Sequence, residues 1–113
     1  VSGTPQLLFT GQTVYNNDCT RCHGTNGQGL GAVYPALNNN SSVTASDPAT
    51  TVQDVVRGGT GMPAYGNILT TEEVASIVSY IRNAWDNKAS LVTAQQVISI
   101  IVEQEITTPT PTP

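Results

Sequence analysis

The sequence predicts an all-α fold, a small set of helices joined by long loops. Three observations carry this. Apolar residues recur at helical intervals in several stretches, and helix-start signals stand directly ahead of them. No run alternates apolar and polar residues in the way a half-buried strand would. The intervening stretches are rich in Gly, Asn and Ser and read as loops. The coarse order is helix, long loop, helix, loop, helix, helix, without an internal repeat. With 113 residues the chain makes one domain with a single core.

Residues 1–6 read as an exposed N-terminal arm. From Leu7 an amphipathic helix is expected, with Leu8, Gly11, Val14 or Tyr15, and Asp18 at near-helical intervals. Gly11 inside it costs about 1 kcal/mol relative to Ala, tolerable where a second helix must come close. The helix leads into Cys19-Thr20-Arg21-Cys22-His23. Two cysteines three positions apart and followed at once by histidine form the attachment pattern of a c-type haem. Cys19 and Cys22, one helical turn apart, can each add to one vinyl group of the same porphyrin. His23 then lies beneath the iron as proximal ligand. A zinc half-site lacks its other ligands, because the chain has two Cys and one His in all. A redox dithiol would open a helix in a βαβ pattern, which is absent.

Gly24 to Gly31 holds four glycines in eight residues and reads as a loop wrapping the haem edge, closed by Tyr34-Pro35-Ala36-Leu37. A phosphate-binding reading is weak, for no Gly-x-x-x-x-Gly-Lys pattern is present. Residues 38–46 form a polar loop. Asp47-Pro48 starts a helix, Asp as cap and Pro at the first position, that runs through Val52, Val55 and Val56 to Arg57 and stops at Gly58-Gly59. Next comes Gly58 to Gly66, which contains Met62, the one methionine of the chain, followed by the stiffening Pro63. A lone Met on a loop is usually a packing residue. Beside an attached haem, with no second His, Met62 is the best available strong-field ligand for the other face of the iron.

Thr70 with Glu73 forms a capping box. The helix behind it is expected to place Val74, Ile77, Val78, Ile81 and Trp85 on one buried stripe, with Ser76, Ser79, Arg82, Asn83 and Asp86 mostly elsewhere. Thr93 with Gln96 opens a last helix with Val97, Ile98, Ile101 and Val102 on one face; Ile100 and Ile106 lie off it. Residues 107–113 form a Thr/Pro tail or linker. The domain thus spans 7–106, a core over 7–86 plus an extension helix over 93–106.

A hydrophobic content of 38% with one Phe and one Trp makes a thin core, which a porphyrin would thicken. The net charge of −4 argues against nucleic acid and against a strongly acidic partner. No run of 18 apolar residues occurs, so no membrane span is expected in this segment. The absence of a leader before Val1 is read as a mature terminus.

Taken together, residues 7–86 resemble class I (mitochondrial-type) monohaem cytochromes c. The family places a glycine and an aromatic residue eight and four positions before the first haem cysteine, where Gly11 and Tyr15 stand. It has a Pro-x-Leu twelve residues after the haem histidine, matched by Pro35-Ala36-Leu37. It pairs an aliphatic residue with an aromatic one in the helix that crosses the first, matched by Ile77 and Tyr80. The resemblance implies the cytochrome c fold, one haem c bound by Cys19 and Cys22, and an iron held by His23 and Met62. It also implies a Pro35 carbonyl that accepts the His23 Nδ1–H. More loosely, 74–87 is similar to cytochrome subunits or partners of bacterial periplasmic dehydrogenases. The extension helix and the lack of a lysine ring (Lys88 is the one lysine) depart from the mitochondrial pattern.

The resulting expectation is a one-electron carrier, not itself an enzyme. It would exchange electrons with redox proteins such as a dehydrogenase, an oxidase or another cytochrome, as a monomer or a subunit of a complex. Few charges imply a mild salt dependence of docking. Cytochromes with this motif are matured outside the cytoplasm, so a periplasmic or other exported location follows. Two rivals stand beside it. One is a haem domain of a larger dehydrogenase or oxidase. The other is an open-site sensor or peroxidase in which Met62 leaves the iron free; it lacks a distal acid–base pair, since His23 is the sole His.

Overall fold

The computed structural model describes residues 4–24, 26–29, 36–58 and 64–107, with backbone alone for 4–6, 18, 21, 22, 67 and 104–107. Helices α1 (Thr4–Asp18), α2 (Thr20–His23), α3 (Ala49–Arg57), α4 (Thr71–Ile81) and α5 (Ala94–Thr107) follow one another, with a 3₁₀ turn at Tyr65–Asn67 before α4. No strand occurs among the described residues. The all-α expectation stands.

α4 is the axis of the fold, and its start is built as the sequence prescribes. The Thr70 hydroxyl accepts the Glu73 N–H at 3.1 Å, and the Glu73 carboxylate accepts the Thr70 N–H at 2.9 Å. The same reciprocal pair recurs at α5, where Thr93 Oγ1 accepts from Gln96 N at 3.1 Å and Gln96 Oε1 accepts from Thr93 N at 2.9 Å. At α3 the cap position is Pro48 rather than Asp47. The Asp47 carboxylate still accepts the Ala49 N–H at 3.0 Å and so serves the same helix end.

α1 crosses α4 at Gly11. A Cβ there would run into the Ser76 carbonyl and lie 2.7 Å from Tyr80 Cβ, so the crossing requires glycine. α1 begins at Thr4, three residues ahead of the expected Leu7, which takes 4–6 out of the exposed arm. The other faces of α4 are covered by α3 and α5.

That arrangement corrects the single buried stripe. Val74 through Ser79 and Ile81 are all buried, Ser76 and Ser79 included, because α4 is packed on several sides at once. The serines are small enough for close approach, and both find hydrogen-bond partners. Ser76 Oγ donates to Glu72 O at 2.9 Å. Ser79 Oγ donates to Val92 O at 3.0 Å and accepts the Val92 N–H at 2.8 Å. Trp85 is not on the helix at all: α4 ends at Ile81, and the chain turns through 82–87. In α5 the inward face is Ala94, Val97, Ile100 and Ile101, while Ile98 and Val102 point outward. Helical spacing admits both faces, and α4 selects the former.

Arg82 occupies the corner where α4 ends and is fully buried. Its guanidinium donates to Val43 O (3.1 Å), Ala45 O (2.6 Å), Ser90 O (2.9 Å) and Ser90 Oγ (2.8 Å). Burial pulls its pKa below the ordinary value, and Asp47 pulls it partly back. Asn87 works alongside, donating to Ile81 O (2.7 Å) and Leu37 O (2.9 Å) and accepting the Asn39 N–H (2.8 Å). Two side chains thereby tie the 37–45 loop and residue 90 to the end of α4.

Candidate haem site

The site begins where α1 stops. Asp18 is its last residue, and the Cys19 N–H still donates to Tyr15 O at 2.9 Å, so the motif continues directly from α1. Cys19 then caps α2, which contains Cys22 and His23. The His23 N–H donates to Cys19 O at 3.0 Å, which closes one helical turn over the whole Cys-x-x-Cys-His segment. Cys19 and His23 are half-buried. Among the described residues no group of three His, Cys, Asp or Glu side chains could hold a bare metal ion.

Behind the motif the chain is shaped by three glycines with left-handed φ: Gly24 at 85°, Gly27 at 66° and Gly29 at 71°. They fold the loop back on α2. The Gly29 N–H donates to His23 O at 2.8 Å and the Gly27 N–H to Gly24 O at 3.2 Å. The Gly27 carbonyl accepts the N–H groups of Leu37 (2.7 Å) and Asn38 (3.0 Å). Gly24 and residues 26–29 are therefore held as a hydrogen-bonded collar.

Tyr15 supports this collar from α1. Its side chain is fully buried, and its hydroxyl donates to Gly24 O at 2.6 Å. Burial is the main cause that raises its pKa far above the usual phenol value, with lesser contributions from the Cys19 thiol and Tyr80. A thioether at Cys19 would carry no charge and would remove the thiol's part. Tyr15 packs against Tyr80 (ring centroids 5.6 Å apart) and Trp85 (5.4 Å).

The donor set fits a c-type haem: two cysteines and a histidine on a single turn. Leu37, Tyr65, Leu69 and Trp85, large side chains on loops and turns, lie against the core and are half-buried. Pro35 and Met62, the expected partner of His23 and the expected distal ligand, lie outside the described residues. Of the sequence-derived site residues, Cys19, Cys22 and His23 thus share one turn of backbone. Pattern reading missed the contacts of Asn87 and Trp85 with the loop segments beside the motif. The one available signal was a cluster of Gly and Asn flanking the motif and the end of α4.

Residues 7–81 match the family described as cytochrome c oxidase, cbb3-type, subunit III. Among similar proteins, the gluconate 2-dehydrogenase cytochrome c subunit of Pantoea cypripedii is 34% identical over 110 aligned positions, covering 86% of this chain and 25% of that protein. The cytochrome c subunit of alcohol dehydrogenase (quinone) from Gluconacetobacter polyoxogenes is 30% identical over 116 positions, with the same two coverages. The cbb3-type cytochrome c oxidase subunit CcoP of Azospirillum brasilense is 36% identical over 84 positions, covering 69% of this chain and 28% of its own length. The chain spans about a quarter of the length of these relatives. With the haem motif, the all-α fold and a match over most of its length, the chain belongs to the cbb3-type subunit III family of cytochrome c domains, electron-transfer domains that carry haem c.

Proposed function

We propose that Cys19 and Cys22 hold one haem c through thioether bonds, that His23 is its proximal ligand and that Met62 is its distal ligand. The domain, over 7–106, then passes single electrons between redox proteins as part of a larger dehydrogenase or oxidase assembly outside the cytoplasm. The observation that carries this is the single turn in which Cys19, Cys22 and His23 lie, backed by the Gly24–Gly29 collar. When bound, haem c supplies a ferric/ferrous couple, whose potential Met/His ligation raises. The chain's own part is to hold the ligands still. Tyr15 and Gly29 fix the peptide groups that follow His23, and a Pro35 carbonyl accepting the Nδ1–H would orient the imidazole. With two axial side chains in place no position is left for a substrate, which makes this a carrier rather than a catalyst.

Membership of a larger assembly is supported by the relatives, named as cytochrome c subunits of dehydrogenases and oxidases and about four times as long. An exported location rests on the cofactor, since haem of this type is attached outside the cytoplasm. No helix among the described residues is long and apolar enough to cross a membrane. Optical spectra of the ferric and dithionite-reduced protein test the ligand set. A low-spin spectrum with the weak red charge-transfer band of Met-ligated ferric haem, lost in Met62→Ala, is expected. A high-spin parent spectrum that shifts with carbon monoxide or cyanide would instead mean an open iron.

A further inference from the structure

We propose that Trp85 is a positioning residue for the haem-binding segment, its ring serving as the wall on which the collar behind His23 rests. The proposal rests on His23 being the proximal ligand. Trp85 has φ 56°, a backbone conformation that a bulky side chain rarely adopts. The residues on either side hold it there. The Asp86 N–H donates to Asn38 Oδ1 at 3.0 Å and Asn38 Nδ2 to Asp86 Oδ2 at 3.1 Å. Asn87 donates from its backbone to Ala84 O at 2.8 Å and from its side chain to Ile81 O and Leu37 O. A strained residue persists only where its surroundings over-determine it, and such residues gather at functional sites.

The strained backbone aims the indole at the loop. A Cβ on Gly27 would lie 2.5 Å from Trp85 Cζ3, 2.6 Å from Cη2 and 2.8 Å from Cε3, so the Gly27 backbone sits against the six-membered ring. The ring also makes edge contacts with Tyr15 and with Tyr80, centroids 5.4 and 5.9 Å apart. Tyr15 in turn bonds Gly24 O, and Gly29 bonds His23 O. The carbonyls of His23 and Gly24 are thus held by the Gly29 N–H and the Tyr15 hydroxyl; Tyr15 packs on the Trp85 ring, and Gly29 lies two residues beyond Gly27, which rests on it. A change in this wall rotates the collar and, with it, the imidazole plane.

Packing alone would be satisfied by any large apolar residue, whereas positioning requires the flat ring. The test is proton NMR of the ferric holoprotein, in which the pattern of paramagnetically shifted haem methyl resonances reports the orientation of the axial imidazole. Trp85→Phe, which keeps a flat ring, is expected to stay near the parent pattern, and Trp85→Leu to shift it at temperatures well below its unfolding midpoint. Gly27→Ala presses on the same contact from the loop side and is expected to shift it likewise, so a poorly folding Leu variant does not remove the test. Parent-like patterns in Trp85→Leu and Gly27→Ala, with lowered midpoints only, would overturn the proposal and leave Trp85 as packing. A parent spectrum without shifted His23 ring protons would overturn the ligand assignment and the proposal with it, and that is read before any variant is made.

Discussion

The middle of α4 and the chain that leaves it are held by different chemistry. At the α1 crossing the contact is close and nearly free of side chains, with Gly11 against Ser76 and Tyr80. Past Ile81 the contacts are polar and long-range: Arg82 and Asn87 reach carbonyls of residues 37, 43, 45, 81 and 90. A chain with a thin apolar core thus fixes its helices by proximity and its loops by side-chain hydrogen bonds. The crossing tolerates no added volume, and the corner tolerates no lost donor.

The largest effect is expected at the crossing. Gly11→Val forces branched methyl groups into backbone and should cost about 3 kcal/mol, read as a lower denaturation midpoint of the holoprotein. Arg82→Met comes next. It leaves the carbonyls of Val43, Ala45 and Ser90 without their donor, for an expected loss of about 2 kcal/mol, part of which Arg82→Lys restores. Should Arg82→Met leave the midpoint unchanged, the polar corner is not what fixes the loop.

Alkaline pH acts on the tyrosines packed beside the crossing. Tyr15 and Tyr80 both have pKa values raised by burial above the ordinary 10.0, so the folded state keeps their protons longer than the unfolded chain does. Their contribution to stability is complete below pH 10.0 and is lost as pH rises through the folded-state values. Stability measured by denaturant titration is expected to decline above that pH, and less steeply in Tyr80→Phe. The smallest effect belongs to the cap of α4: Thr70→Ala should cost about 1 kcal/mol, without altering either region.

These regions also differ in how far they could be read from sequence. Thr70/Glu73, Thr93/Gln96 and the Cys-x-x-Cys-His turn are local, with both partners a few residues apart, and each is found as expected. Gly11 was readable as a crossing through the family pattern. Arg82, Asn87 and Trp85 were not, because each acts on residues far along the chain. Arg82 bonds to carbonyls 37 and 39 residues away, and no periodicity encodes such a contact. Helical spacing puts Arg82 off the buried stripe, because it separates faces around one core, whereas α4 is enclosed by several neighbours. Trp85 fitted the helical stripe by number alone, but the helix ends four residues earlier. The inward face of α5 was misjudged for a related reason: Ile98 and Val102 have the same spacing as Val97 and Ile101, and only the position of α4 distinguishes them.

Everything proposed for the site depends on covalent haem at Cys19 and Cys22, and intact-mass spectrometry of the purified protein, paired with a pyridine haemochrome spectrum, tests this most directly. The expected result is one haem per chain, retained in acid acetone, with a haemochrome band of the two-thioether type that moves to the one-thioether position in Cys19→Ala and in Cys22→Ala. A chain at its bare polypeptide mass with two titratable thiols, or a haem that acid acetone extracts, would contradict it.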